Sequence, residues 1–144
     1  SWLTHSAVIN DTIPAGSSIE VTIDVQGLPE KVIEKQLAPI LEISYYTDDS
    51  HQVAIQTPLK SANGQTYCTL EFKEDFPAGR LTISLFELGG KGFPAYTLYI
   101  RGLRVSFTSG KGPIHTSSGV EDELLFERLP ITQETFNPQF NPEP

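Results

Sequence analysis

An all-β fold, an antiparallel β-sandwich, is predicted by three observations on the sequence. Apolar and polar residues alternate at period two along several short runs, turn signals recur about every ten residues, and no long run keeps helical spacing. Many short strands between such turns mean a sandwich or a barrel. The 144 residues suit a single domain, and 38% hydrophobic content is enough for strands that are half apolar and half polar. A chain of this length buries a sizeable core without a disulfide or metal staple.

The elements follow in order. Pro14-Ala15-Gly16 reads as a turn. After it Ile19, Val21, Ile23 and Val25 share one face of a strand, and Glu20, Thr22, Asp24 and Gln26 the other. Leu28, Val32, Ile33 and Leu37 recur at helical spacing, with Pro29 suited to a first helical position and Pro39 to a stop. One short helix near residues 29–37 is expected, with an irregular crossover as the alternative. Leu41, Ile43 and Tyr45 alternate up to Asp48-Asp49-Ser50, and His51 to Thr57 gives a partner strand with Val53 and Ile55 inward. Pro58 to Gln65, with Asn63-Gly64, is a loop. Cys68, Leu70 and Phe72 then face inward, and Tyr67, Thr69 and Glu71 outward.

Phe76-Pro77-Ala78-Gly79 resembles the earlier turn, and Leu81, Ile83 and Leu85 follow it, alternating with Thr82, Ser84 and Phe86. Gly89-Gly90-Lys91-Gly92 is a loop. The apolar residues Tyr96, Leu98 and Ile100 fall on even positions, whereas Leu103, Val105 and Phe107 fall on odd ones. A bulge at Gly102 accounts for that switch. From Ser109 the texture changes, which divides the chain into a sandwich over 1–108 and a linker with an extended C-terminal tail over 109–144. Ser109 to Gly119 is rich in Gly, Ser and Thr; Glu121 to Leu129 reads as a short helix or a late strand. Asn137 to Pro144 is too proline-rich for regular structure and reads as a tail or a tether. The start at Ser1 and the proline-rich end lead to the expectation of a fragment or a processed product.

The formal net charge of −8 argues against a nucleic-acid partner, which demands Lys and Arg to displace counterions from phosphate. It also argues against anionic membrane surfaces, and no run of about 18 apolar residues is present for membrane insertion. Cys68 has no second cysteine to pair with. It reads as a small buried hydrophobe, with a catalytic thiol as the sharper alternative. Disulfide-free chains occur in the cytosol and among extracellular and viral proteins, and an extracellular or cell-surface location is slightly favoured.

Catalytic signatures are absent from the sequence. Gly89-Gly90-Lys91-Gly92 lacks the spacing of a phosphate loop, and there is no Gly-x-Ser-x-Gly elbow. One cysteine and the scattered His5, His51 and His115 do not supply a Cys/His metal site. The carboxylate pairs Asp48-Asp49 and Glu74-Asp75 read as solvated turn residues rather than Ca²⁺ ligands. The expectation is no catalytic residue, no metal and no cofactor.

The aromatic residues point to binding. Tyr46, Tyr67, Phe86 and Tyr99 fall opposite the core residues, and Phe93 and Tyr96 flank the glycine loop. Exposed aromatics stack on the flat apolar faces of sugars while their polar tips hydrogen-bond. The plainer reading is that such residues only stabilise an outer face through cross-strand pairs.

In this order, Ile13-Pro14-Ala15-Gly16 with Ile19 to Val25, Leu41 to Asp49, Tyr67 to Phe72 with Phe76-Pro77-Ala78-Gly79 and Leu81 to Leu85, and Tyr96 to Val105 resemble the strands of galactose-binding-like jelly rolls. The resemblance covers residues 6–107 and rests on pattern. It implies jelly-roll topology and a carbohydrate-binding-module role. Members often carry an acidic Ca²⁺ ligand in the closing strand, where this chain has Arg101 and Gly102, so Ca²⁺ is not expected. The expected function is a non-catalytic carbohydrate-binding module of a larger glycan-active protein. Tyr46, His51, Tyr67, Phe93 and Tyr96 are its expected contacts with a polysaccharide or glycan. The alternative is a structural or assembly module of a virion, fibre or surface protein, meeting a protein partner or neighbouring domain through the C-terminal tail.

Overall fold

The computed structural model describes residues 3–49, 51–87, 96–110, 114–116, 119–121 and 134–136. The strands of the sandwich are β1 (Leu3–Ile9), β2 (Ser18–Gln26), β3 (Ile40–Thr47), β4 (Gln52–Pro58), β5 (Gly64–Glu71), β6 (Gly79–Phe86) and β7 (Leu98–Thr108). One helix, α1 (Glu30–Glu34), connects β2 to β3. Three short strands follow: β8 (Ile114–Thr116), β9 (Gly119–Glu121) and β10 (Glu134–Phe136). One sheet has the order β1-β6-β3-β4, the other β10-β7-β2-β5, and β8 pairs with β9. Every one of these pairings is antiparallel. The predicted sandwich is therefore present, with β3–β4 a hairpin inside one sheet and the chain crossing between sheets at β1–β2, β2–β3, β4–β5, β5–β6 and β6–β7.

The core lies between the sheets because the alternation puts branched residues inward. Ile19, Val21, Ile23 and Val25 of β2 are buried, as are Leu41, Ile43 and Tyr45 of β3 and Leu81, Ile83 and Leu85 of β6. Leu98, Ile100, Val105 and Phe107 of β7 join the same cluster. The register of β7 against β2 shifts between Asp24 and Val25, which pair with Gly102 and Ile100 and leave Arg101 as the extra residue. This bulge carries the inward face from even to odd positions, as the sequence predicts.

α1 is shorter than the expected 29–37. Gln36 adopts the left-handed conformation at φ 60, and Leu37 N–H reaches back to Val32 O at 2.8 Å. That six-to-one bond ends the helix before Pro39 has any say. β1 has no counterpart in the sequence reading. Its alternation is diluted by His5 and Ala7, and it forms because β6 offers it a seven-residue ladder.

The two Pro-Ala-Gly turns lie side by side. Ile13 and Phe76 exchange two backbone hydrogen bonds of 2.7 and 2.8 Å, and Ala15 N–H donates to Asp75 Oδ1 at 2.8 Å. Asp75 is thus a turn anchor. Beneath these turns Tyr45 packs edge-on against Phe72 and Phe76, at ring-centroid separations of 5.5 and 6.1 Å. Its hydroxyl donates to Pro77 O at 2.8 Å.

Burial pushes the Tyr45 phenol from its ordinary value near 10 up to about 12. The fold therefore holds this proton more tightly than the unfolded chain does. Stability is expected to be full below pH 10 and to decline as pH rises from 10 to about 12. Urea midpoints across that window check it, and Tyr45→Phe is expected to flatten the decline while costing about 1 kcal/mol for the lost hydrogen bond.

Candidate functional site

The outer face of the β5-β2-β7 sheet is built by the residues that the alternation turns away from the core. β2 contributes Glu20, Thr22 and Asp24, β5 contributes Gln65, Tyr67 and Thr69, and β7 contributes Gly102, Arg104 and Ser106. The ladder registers arrange them in rows across the three strands. Thr22 stands between Tyr67 and Arg104, Asp24 between Gln65 and Gly102, and Glu20 between Thr69 and Ser106.

A shallow cavity of about 480 Å³ opens over these rows, lined by Glu20, Thr22, Asp24, Gln65, Tyr67, Gly102, Leu103, Arg104 and Ser106. Gly102 helps to form it: a Cβ added there would meet nothing within 4 Å, so the row through Asp24 ends in open space. The glycine is thus explained by the bulge and the trough, and not by a close backbone approach.

Tyr67 is the most exposed large apolar side chain among the described residues, at 56%. Its neighbour across the ladder is Thr22, and its hydroxyl donates to Gln65 Oε1 at 2.8 Å, which holds the ring by its tip. Tyr99, 40% exposed, stands on the same face at the far side of the bulge, opposite Gln26. Four residues along the strands and two strands across put the two rings on the order of 16 Å apart, from about 3.3 Å per residue and about 4.8 Å per strand. Between them lies the Asp24 carboxylate, with Gln65 and the Arg104 guanidinium beside it and Glu20 one row beyond Tyr67. The arrangement offers an apolar platform at each end and hydrogen-bonding groups of both kinds in the middle.

The five expected contact residues are not brought together. Tyr67 lies in this trough. Tyr46, 39% exposed, is on β3 and faces outward from the opposite sheet. His51 closes the β3–β4 turn, where its N–H donates to Thr47 Oγ1 at 3.2 Å and its ring lies edge-on to Phe76 at 6.5 Å. Tyr96 is half-buried before β7; burial and, second, the Glu87 charge push its phenol up to about 12. Phe93 lies outside the described residues, as do the glycine loop at 89–92, residues 122–129 and the proline-rich 137–144. The trough partners Thr22, Asp24, Gln65 and Arg104 escape a sequence reading, because outward alternation is visible in each strand but the pairing of distant strands is not.

Cys68 is buried, and the Thr57 hydroxyl donates to its sulfur at 3.3 Å. Burial raises its thiol pKa more than Thr57 and Lys60 lower it, which disfavours the thiolate. Among the described residues no three His, Cys, Asp or Glu side chains group as metal ligands, and no helix is long and apolar enough to cross a membrane. The chain matches no family model, no curated protein and no solved structure.

Proposed function

We propose that this domain is a non-catalytic carbohydrate-binding module of a larger glycan-active protein, and that it binds a glycan on the outer face of β5-β2-β7. The observation that carries this reading is Tyr67: a ring 56% exposed, fixed through Gln65, and set at the wall of a polar trough. Its ladder partner is Thr22, a pairing of ring and β-branched side chain that supports the sheet yet leaves more than half of the ring exposed. The ring–ring contacts among the described residues lie elsewhere, around Tyr45, Phe72, Phe76 and His51. The free face of Tyr67 suits the apolar face of a pyranose ring, with Asp24, Gln65 and Arg104 left to meet hydroxyls. The separation of Tyr67 from Tyr99 suits a run of several sugar rings better than a single one.

Affinity electrophoresis through gels containing neutral polysaccharides (glucans, xylans and galactans) tests the reading. Retardation by at least one of them is expected, with affinity falling tenfold or more in Tyr67→Ala, equivalent to about 1.4 kcal/mol. Because Tyr67 is on the surface, unfolding stability is expected to stay within about 0.5 kcal/mol of the parent. No retardation by any polysaccharide, or retardation that Tyr67→Ala leaves intact, would remove the basis for the proposal.

A further inference from the structure

We infer that the outer face of the other sheet carries a second, separate ligand site, selective for a sugar acid whose ring lies on Tyr46 and Val8 while its carboxylate is held by Arg80. The inference rests on the glycan-binding reading but on a different set of residues. Arg80 of β6 stands directly between Val8 of β1 and Tyr46 of β3 in the ladder register. Val8 is 49% exposed and Tyr46 39%, so apolar surface is open on both sides of the guanidinium. A cavity of about 360 Å³ lies over this row, and Asn10, Asp48 and Gly79 also line it.

The chemistry follows from that row. The two rows next to it are polar: Ser6 and Thr82 hydrogen-bond to each other at 3.1 Å, and Gln56 donates to Glu42 at 2.7 Å beyond them. They separate Val8 and Tyr46 from the apolar row of Ile40, Phe86 and Pro58 at the far end of the face, so the apolar surface at this end flanks a cation. A guanidinium is weakly hydrated and presents a planar fork of donors that matches a carboxylate. A uronic acid combines the two features that this row recognises, an apolar ring face and a carboxylate. A neutral sugar would leave Arg80 without its partner. Asn10 and Asp48 also line the cavity and offer partners for ring hydroxyls, and the Asp48 charge opposes a carboxylate on its own side, leaving Arg80 as the place for the acid group. The net charge of −8 repels anions at long range, so the selectivity arises in contact, and physiological salt with its Debye length of about 8 Å screens most of the repulsion. Since the two sites look out from opposite sheets, one copy of the domain would hold two separate glycan chains.

Titration calorimetry of the full chain at physiological salt, with oligogalacturonate and with its methyl ester as probes, tests this site. The free acid is expected to bind, the ester to bind at least tenfold more weakly, and Arg80→Gln to bring the acid down to the level of the ester. Val8→Ser, which leaves the charge in place, is expected to weaken the acid several-fold, whereas Tyr67→Ala leaves acid binding unchanged. Failure of the neutral polysaccharides to bind would speak against the Tyr67 trough and leave this result standing. The inference is overturned if the acid does not bind, if the ester binds equally well, or if Arg80→Gln has no effect. It is also overturned if Tyr67→Ala, rather than Arg80→Gln, abolishes acid binding.

Discussion

Phe72→Ala is expected to cost about 3–5 kcal/mol, the usual range for removing a large aromatic from a core. Phe72 is 1% exposed and packs edge-on against both Tyr45 and Phe76, with centroids 5.5 and 5.6 Å apart. Its backbone also ties the end of β5 to the first Pro-Ala-Gly turn, donating to Ser17 O at 2.9 Å and accepting from Gly16 N–H at 2.7 Å. Those backbone bonds survive the substitution and limit how far the turn can collapse into the hole. Typical domains are stable by only about 5–15 kcal/mol, so a large part of the total is at stake. A urea unfolding curve reads the effect as a lower midpoint. A loss under about 1 kcal/mol would mean that this ring cluster is not the anchor described here.

Gly79→Ala is the second large effect. Gly79 opens β6 and is paired on both sides, with Ile9 of β1 and Thr47 of β3. An added Cβ would fall on the Tyr46 carbonyl oxygen and press on the Tyr45 ring edge. A side chain can swing away, but the backbone of a central ladder cannot, so the cost is expected near the top of the roughly 1–3 kcal/mol typical of overpacking. Gly102→Ala is the matched control. Its Cβ would meet nothing within 4 Å, and a change within about 0.5 kcal/mol is expected. Thermal unfolding of the two variants side by side checks the pair. Equal effects would contradict the claim that one glycine is needed for contact and the other shapes a trough.

These contrasts show which parts of the molecule are legible in sequence. Ile19 to Val25 and Leu81 to Leu85 announce their inward faces because period two is a local property of the chain. The switch of parity around Gly102 is also local, and it correctly signals the bulge at Arg101. The end of α1 is not legible in the same way: Pro39 is the visible stop, but the left-handed Gln36 acts first, and glutamine carries no signal for that conformation. The side-by-side packing of the two Pro-Ala-Gly turns and the role of Asp75 depend on contacts across 60 residues of chain. The same limit governs the site. Outward alternation picks out Tyr46 and Tyr67 alike, and only strand order places them on opposite sheets. Tyr99 looks no different from either in sequence, yet it shares a face with Tyr67.

The most direct test of the trough is a titration of isotope-labelled protein with neutral oligosaccharides of the type that retards it, followed by amide NMR. Shifts are expected to cluster at Thr22, Asp24, Gln65, Tyr67 and Arg104, with Tyr99 joining as the oligosaccharide lengthens. Saturating shifts confined to Val8, Tyr46 and Arg80, or to the turns around Ile13 and Phe76, would contradict binding in the trough.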